Sequence, residues 1–127
     1  MSLLYVEDDV MTRQAIAGRL RRRGYEVIEA ASGEEALGLM SKQPRPAAVI
    51  LDVDLPGIDG IETYRRLLAI HTGLPAVVCS SKIADGARGP FKALGVPDEL
   101  LLAKPCEFQR MLTAIQSAVH SDHNGAV

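Results

Sequence analysis

The sequence has few of the features that mark a secreted or membrane protein. It contains only two cysteines, Cys79 and Cys106, and their spacing matches no metal-ligand motif. A chain with two such thiols is predicted to be a cytosolic protein that keeps them reduced. Residues 1–6, MSLLYV, have neither a basic start nor a long apolar core, so they predict no signal peptide and no membrane span.

The sequence also lacks an excess of charge of either sign. Its 14 basic and 16 acidic residues give a formal net charge of −2, which does not favour nucleic-acid binding. With 127 residues, 47% of them hydrophobic, the chain has the size of one compact domain with a single core. We place this domain at residues 1–120 and predict a flexible tail at residues 121–127.

The stretch at residues 48–60, AVILDVDLPGIDG, is the most informative part of the chain. Its apolar run leads directly into Asp52, and Pro56 and Gly57 then end any regular element. Such a run predicts a strand buried on both faces, as in a parallel sheet. Ligands of open α/β sheets bind beyond the carboxyl ends of the strands, where Asp52 would lie. Taken alone, the stretch is equally compatible with an aspartate that merely caps a turn.

The rest of the chain alternates between predicted strands and predicted helices, beginning with a strand. This order predicts right-handed crossovers and a three-layer α/β sandwich. The second strand alternates apolar and polar residues, which is typical of a sheet edge. The five predicted strands are residues 3–6, 25–30, 48–51, 75–79 and 100–103.

Charged and polar residues recur where these strands end. The residues are Glu7, Asp8, Asp52, Ser80 and Lys104. Clustered carboxylates raise one another's pKa unless a cation lies among them, and a set of oxygen ligands suits Mg²⁺. A carboxylate beside Mg²⁺ can act as a nucleophile toward a phosphoryl group. A lysine and a serine hydroxyl can then contact the phosphoryl oxygens.

Five sequence pieces, taken together in order and spacing, resemble the receiver domain of two-component response regulators from residue 3 to about residue 119. The pieces are LLYVEDD, GYEVIEAASGEEAL, VILDVDLPGIDG, LPAVVCSS and LLLAKP. The resemblance implies a flavodoxin-like, doubly wound sheet of five parallel strands in the order 2-1-3-4-5, with five helices.

The resemblance also implies a role for each residue at the strand ends. Asp52 would be the phosphoacceptor, Ser80 the switch hydroxyl and Lys104 the phosphate contact. Mg²⁺ would be bound by Glu7, Asp8 and Asp52 together with the backbone carbonyl of Asp54.

The resemblance further implies a bacterial, cytoplasmic signalling protein that is not an enzyme. The phosphoryl donor would be a sensor histidine kinase or a phosphotransfer protein, and the downstream effector is not identified by the sequence. The face formed by the fourth helix, the fifth strand and the fifth helix is a candidate homodimer surface. No direct binding of nucleic acid or membrane is expected.

Three departures from the family pattern affect the expected output face. Leu101 stands at the switch position, where receivers often carry an aromatic residue, and Ser81 stands where alanine is common. Gly86, Gly89 and Pro90 are unfavourable inside a helix, so the fourth helix is predicted to start late, with Pro90 in its first turn. We therefore expect residues 83–89 not to form a regular helix, and the readout to shift to residues 81–90.

A further expectation concerns the turn after the last strand. Because X–Pro bonds favour trans by only about 0.5–1 kcal/mol, a tight turn can hold the other isomer. We expect a cis peptide between Lys104 and Pro105, as in similar receivers.

Two other functions fit part of the pattern. Asp52-Val53-Asp54 matches the DxD motif of haloacid-dehalogenase-type phosphatases, although that motif usually opens a chain and precedes glycine-threonine, whereas Leu55 and Pro56 follow here. A receiver-like scaffold that acts without phosphorylation is the other alternative. The intact acids, serine and lysine argue against it.

Overall fold

The computed structural model describes residues 1–84 and 86–125, with side chains described up to residue 120. Five parallel strands form one sheet in the order β2-β1-β3-β4-β5, which confirms the predicted fold and the edge position of β2. The strands are β1 (Ser2–Val6), β2 (Glu26–Ala30), β3 (Ala48–Leu51), β4 (Ala76–Ser80) and β5 (Leu101–Ala103).

In the described residues, five α-helices follow the strands, and two short 3₁₀ helices lie between β4 and β5. The α-helices are α1 (Val10–Arg22), α2 (Gly33–Met40), α3 (Gly60–Ile70), α4 (Arg88–Ala93) and α5 (Phe108–Gly125), and the 3₁₀ helices are Ser81–Ile83 and Asp98–Leu100. The last helix continues past residue 120, the predicted domain boundary. Residues 126 and 127 of the predicted tail lie outside the described residues, and the flexibility of the tail stays a prediction. Within the described helices, none is long and apolar enough to cross a membrane.

The register of the central strands brings the predicted site residues together. Val6 of β1 pairs with Leu51 of β3, and Leu51 pairs with Val78 of β4. Glu7 and Asp52 each follow one of these paired residues, so they leave the sheet side by side. The strands β1, β3 and β4 are buried along nearly their whole length, which fixes this register through the core.

Polar caps start the first three helices directly after the loops that follow their strands. Asp9, Ser32 and Asp59 each accept a hydrogen bond from the backbone N–H three residues further along. Because Asp9 caps α1, the helix begins directly after the acidic stretch formed by Glu7, Asp8 and Asp9.

The segment between β4 and α4 is irregular, as predicted. The 3₁₀ helix ends at Ile83, Gly86 has a left-handed φ of 102°, and α4 begins at Arg88 with Pro90 in its first turn. The prediction for residues 83–89 is therefore confirmed at its start and wrong at Arg88 and Gly89, which belong to α4. The first turn of a helix tolerates a proline, because the N–H that proline lacks would have no partner inside the helix there. Residue 85 lies outside the described residues.

Candidate functional site

Asp52 is a buried carboxylate with two fixed hydrogen bonds. Its side chain lies just beyond β3, and the residue is only 7% exposed. Oδ1 accepts a hydrogen bond of 3.0 Å from the backbone N–H of Asp54, and Oδ2 accepts one of 2.6 Å from Nζ of Lys104. The charge-assisted contact with Lys104 compensates for the loss of hydration at this carboxylate.

Glu7 is a second buried carboxylate on the neighbouring strand. It is 5% exposed, and its Oε1 lies 3.5 Å from Nζ of Lys104. Its Oε2 accepts a hydrogen bond of 3.2 Å from the backbone N–H of Asp9. Burial raises the pKa of Glu7, and a side-chain hydrogen bond with Asp8 and the charge of Asp52 raise it further. The site thus holds more negative charge than Lys104 alone neutralises.

Lys104 connects the two carboxylates. Burial acts to lower the pKa of Lys104, but the hydrogen bond with Asp52 and the charges of Asp52 and Glu7 outweigh it and raise the pKa. The backbone N–H of Lys104 donates to the carbonyl of Ser80 at 3.2 Å, which ties the end of β5 to the end of β4. The peptide bond between Lys104 and Pro105 is cis, as predicted.

The structure places Ser80 at the end of β4 but gives its hydroxyl a local partner. Ser80 is completely buried, and its Oγ accepts a hydrogen bond of 3.1 Å from the backbone N–H of Lys82. The hydroxyl therefore caps the 3₁₀ helix at Ser81–Ile83. Leu101, at the predicted switch position, is a buried β5 residue with 2% exposure that pairs with Val78.

Asp8 and Asp54 lie at the exposed rim of the site. In the part of the chain with described side chains, no three His, Cys, Asp or Glu residues form a ready-made metal cluster. Mg²⁺ commonly uses one or two carboxylates and keeps several waters. The facing carboxylates of Glu7 and Asp52, with the excess of negative charge around them, fit such an ion.

Two residues that the sequence reasoning missed shape the site. A Cβ on Gly60 would lie 2.1 Å from the carbonyl oxygen of Asp52, so the start of α3 approaches the Asp52 backbone more closely than any side chain allows. Arg13 donates from Nη1 to the carbonyl of Glu7 at 2.8 Å and from Nε to Glu29 at 3.2 Å. Gly60 directly follows Asp59, the cap of α3, and this position was a sequence signal for a close approach of backbone segments. The Arg13 contacts had no such signal, because they depend on how α1 packs on β2.

A cavity of about 230 Å³ opens beside the carboxylates. Its lining includes Tyr5, Glu7, Asp52, Cys79, Lys104 and Cys106. Burial raises the pKa of Cys79 to about 12, with a further contribution from Cys106. A larger cavity of about 750 Å³ reaches Ala76, at the start of β4, and contains none of the predicted site residues. The smaller cavity is therefore the one that belongs to the site.

Comparison with known proteins gives a family match over most of the chain. Residues 3–116 match the response regulator receiver domain. The transcriptional regulatory protein AfsQ1 of Streptomyces coelicolor is 52% identical over 84 residues, which cover 66% of this chain and 36% of that protein. The response regulator MprA of Mycolicibacterium vanbaalenii is 33% identical over 115 residues, which cover 91% of this chain and 48% of that protein. The chain thus spans half or less of the length of these two relatives.

Solved structures agree with this match. The receiver domain of the hybrid histidine kinase CckA has a TM-score of 0.77 and 30% identity, covering 94% of this chain and 99% of that one. A CheY-like receiver domain protein from Methanospirillum hungatei has a TM-score of 0.89, covers 98% of this chain and 97% of that one, and at 19% identity supports the fold alone. The chain belongs to the response regulator receiver domain family of two-component systems.

Proposed function

We propose that this domain accepts a phosphoryl group on Asp52 from a histidine kinase or a phosphotransfer protein, in a reaction that depends on Mg²⁺. The observation that carries the proposal is the position of the Asp52 carboxylate. It is buried beyond β3, 2.6 Å from Nζ of Lys104, and next to the buried carboxylate of Glu7. A phosphoryl group bound there would meet a fixed positive charge, which is the main requirement for its transfer.

In the proposed transfer, a carboxylate oxygen of Asp52 attacks the phosphorus of a phosphohistidine donor. The bond between phosphorus and the imidazole nitrogen breaks, and that nitrogen takes up a proton. Lys104 then pairs with a phosphoryl oxygen as well as with the carboxylate. Ser80 donates its hydroxyl to another phosphoryl oxygen once the loop after β4 has moved, because the hydroxyl now faces Lys82.

The metal would be held by Glu7, Asp8 and Asp52 together with the backbone carbonyl of Asp54. When bound, Mg²⁺ supplies charge neutralisation between the incoming phosphoryl group and the carboxylates. Glu7 and Asp52, which are buried, would supply oxygens at the base of this site, and the exposed Asp8 would supply one from its rim. Burial is the main cause of the raised pKa of Glu7, and the nearby charge of Asp52 adds to it; a bound cation would relieve this second, smaller effect.

The test is labelling by acetyl phosphate in the presence of Mg²⁺, followed by intact-mass analysis. We expect one phosphoryl group per chain in the unsubstituted protein and none in Asp52→Asn. The matched control is Asp54→Asn, which removes an exposed carboxylate two residues away and leaves the Asp54 backbone in place. Equal labelling of Asp52→Asn, or none in any variant, would refute the assignment, and the latter result would favour a scaffold that acts without phosphorylation.

The family match argues against the phosphatase alternative, in which Asp54 would act as an acid and base. The exposed Asp54 side chain also lacks a hydrogen bond to Asp52, whose partner there is the Asp54 backbone. The module is proposed to be cytoplasmic and to act on an effector domain or protein through the α4-β5-α5 face. The same face is the proposed homodimer surface.

A further inference from the structure

Two thiols meet beside the acidic site. Cys79 is the residue of β4 directly before Ser80, and Cys106 follows Lys104 by two positions, after the turn at Pro105. Both cysteines line the cavity of about 230 Å³ that also contains Tyr5 and Met111. The Cys106 thiol also contributes to the raised pKa of Cys79, as expected for two neighbouring thiols. The fold therefore brings together two cysteines that are far apart in the sequence.

The two thiols differ in their access to solvent. Cys79 is a core residue with 7% exposure, whereas Cys106 is half-buried at the mouth of the cavity, with its Sγ 3.6 Å from the carbonyl of Glu107. Both are free thiols, and the proposed phosphoryl transfer uses neither of them. Cys106 can therefore meet a small solute first, and Cys79 can react only with a group that is already inside the protein.

We propose that Cys79 and Cys106 form a dithiol that hydroperoxides oxidise to an intramolecular disulfide. The thiolate of Cys106 attacks one peroxide oxygen, the O–O bond breaks, and the released oxygen takes a proton to give water or an alcohol. The resulting sulfenic acid is then attacked by the sulfur of Cys79. The S–O bond breaks, and the departing hydroxide takes the Cys79 proton as water. Two thiols and one hydroperoxide thus give one disulfide, one water or alcohol, and one further water.

Strand pairing brings the backbone segments that carry the two cysteines together. Cys79 pairs with Leu102 across β4 and β5, and the backbone N–H of Lys104 donates to the carbonyl of Ser80 at 3.2 Å. The chain at Cys106 is therefore held close to the end of β4 before any bond forms. A thiol pair in a reducing compartment is oxidised only transiently, which suits a reversible modification.

The disulfide would link the two segments that carry Ser80 and Lys104. Ser80 has to leave its hydrogen bond with Lys82 before it can reach a phosphoryl oxygen, and a covalent bond at the preceding residue restricts that movement. Oxidation should therefore slow phosphorylation. This consequence rests on the proposed phosphoacceptor role of Asp52, whereas formation of the disulfide does not.

The test treats the reduced protein with hydrogen peroxide, removes the peroxide, unfolds the chain in denaturant so that Cys79 is accessible as well, caps free thiols with N-ethylmaleimide and measures the intact mass without reductant. We expect a monomer that has lost two hydrogens and carries no maleimide, and we expect dithiothreitol to restore two reactive thiols. In Cys79→Ser, dimedone should trap a sulfenic acid at Cys106, whereas in Cys106→Ser the remaining Cys79 should stay a thiol that peroxide does not oxidise. These two variants are matched controls, because each removes one sulfur.

Three results would overturn the proposal. The first is two maleimide adducts on the unsubstituted protein at a peroxide dose that oxidises Cys79→Ser. The second is a disulfide-linked dimer as the main product of the unsubstituted protein, and the third is a sulfenic acid on Cys79 in Cys106→Ser.

Acetyl phosphate labelling then compares the oxidised and reduced protein, and we expect the rate to be at least about tenfold lower after oxidation. Equal rates would refute the consequence for phosphorylation. If the reduced protein is not labelled at all, the proposed function fails while the mass result on the disulfide stands.

Discussion

Nζ of Lys104 lies 2.6 Å from Oδ2 of Asp52, although the two residues are 52 positions apart in the chain. The same nitrogen lies 3.5 Å from Oε1 of Glu7. Lys104 is therefore the cation that these two buried carboxylates share. A metal ion bound by the same oxygens would be repelled by the ammonium group, while an incoming phosphoryl group would be attracted by it.

Lys104→Met separates these two effects. We expect the variant to bind Mg²⁺ more tightly, because a positive charge next to the carboxylates is removed. Phosphorylation by acetyl phosphate should be about 100-fold slower, because the developing charge loses its fixed partner. Isothermal titration calorimetry and the labelling rate measure the two quantities. Lys82→Met, an exposed lysine near the site, is the control and should change neither by more than about twofold. Weaker Mg²⁺ binding in Lys104→Met would contradict this account.

Asp8 and Asp9 are adjacent acids with different predicted roles. Asp8→Asn should abolish Mg²⁺ binding and phosphorylation while leaving thermal stability unchanged or higher, because it removes a charge beside Glu7. Asp9→Ala should do the reverse, since Asp9 caps α1 by accepting from the N–H of Thr12 and alanine has no side-chain acceptor. Its melting temperature should fall slightly while phosphorylation continues. A thermal melt and a labelling assay on both variants check the prediction, which is wrong if the two variants behave alike.

Arg13 is expected to position the metal-binding acids without touching the phosphoryl group. Its guanidinium holds the carbonyl of Glu7 at 2.8 Å and pairs with Glu29, and Arg21 pairs with Glu29 as well. Arg13→Met should therefore weaken Mg²⁺ binding by about tenfold, since its loss frees the backbone of a ligand. At saturating Mg²⁺ the labelling rate of this variant should return to that of the unsubstituted protein. It would stay low if Arg13 contacted the phosphoryl group. Arg21→Met removes the second ion pair and a hydrogen bond to the carbonyl of Val27 but no contact with Glu7, so its Mg²⁺ binding should match that of the unsubstituted protein.

The sequence predicted most of the site because strand ends are easy to read. Apolar runs stop at Glu7, Asp52 and Lys104, and parallel strands in register bring such stops to one edge of the sheet. The contacts of Arg13 were not predictable in this way. They depend on the angle at which α1 packs against β2, and an arginine in an exposed helix pattern carries no sign of its partner.

The start of α4 shows a second limit of the sequence. Gly86, Gly89 and Pro90 correctly predicted an interrupted helix, but the boundary at Arg88 depended on packing. Phe91 is completely buried and anchors α4 against the core, where its ring lies 6.3 Å from that of Tyr64. This anchor stabilises two more helical residues, Arg88 and Gly89, than propensity alone favours.

Tyr64 predicts a change of stability at alkaline pH. Its buried hydroxyl donates to the carbonyl of Leu74 at 2.6 Å, and burial raises its pKa from 10.0 to about 12. Between these values the unfolded chain loses the phenolic proton while the folded protein keeps it, so the free energy of unfolding decreases as pH rises. Tyr64→Phe should lose about 1–3 kcal/mol at neutral pH, because the Leu74 carbonyl loses its donor.

The same variant should show a flatter decline of stability from pH 10 to 12. Urea unfolding across this range measures the difference between the two proteins. Tyr25→Phe, which alters a half-buried ring elsewhere, is the control. Parallel curves for Tyr64→Phe and the unsubstituted protein would show that Tyr64 does not cause the decline.

The last prediction concerns how phosphorylation is read out. Leu101 is buried in β5 with 2% exposure and has neither a ring nor a polar tip, so a change of its rotamer would alter the surface little. The loop after β4 is a better candidate. Within this loop, Gly86 has a left-handed backbone conformation, and the backbone N–H of Ala87 donates a hydrogen bond of 3.0 Å to the carbonyl of Lys82. A loop of this kind can rearrange at low cost.

A phosphoryl group on Asp52 adds negative charge and new hydrogen-bond acceptors beside Ser80. When the Ser80 hydroxyl turns toward it, the 3₁₀ helix that this hydroxyl caps must follow, and the loop should dock against the phosphoryl group. We expect amide hydrogen exchange to slow in residues 83–89 by about tenfold, and more than in peptides that contain Leu101. Asp52→Asn treated with the same acetyl phosphate is the control and should show no change. Exchange that is already slow before phosphorylation and unchanged after it would refute the prediction, as would a larger effect around Leu101, because the readout would then lie in β5.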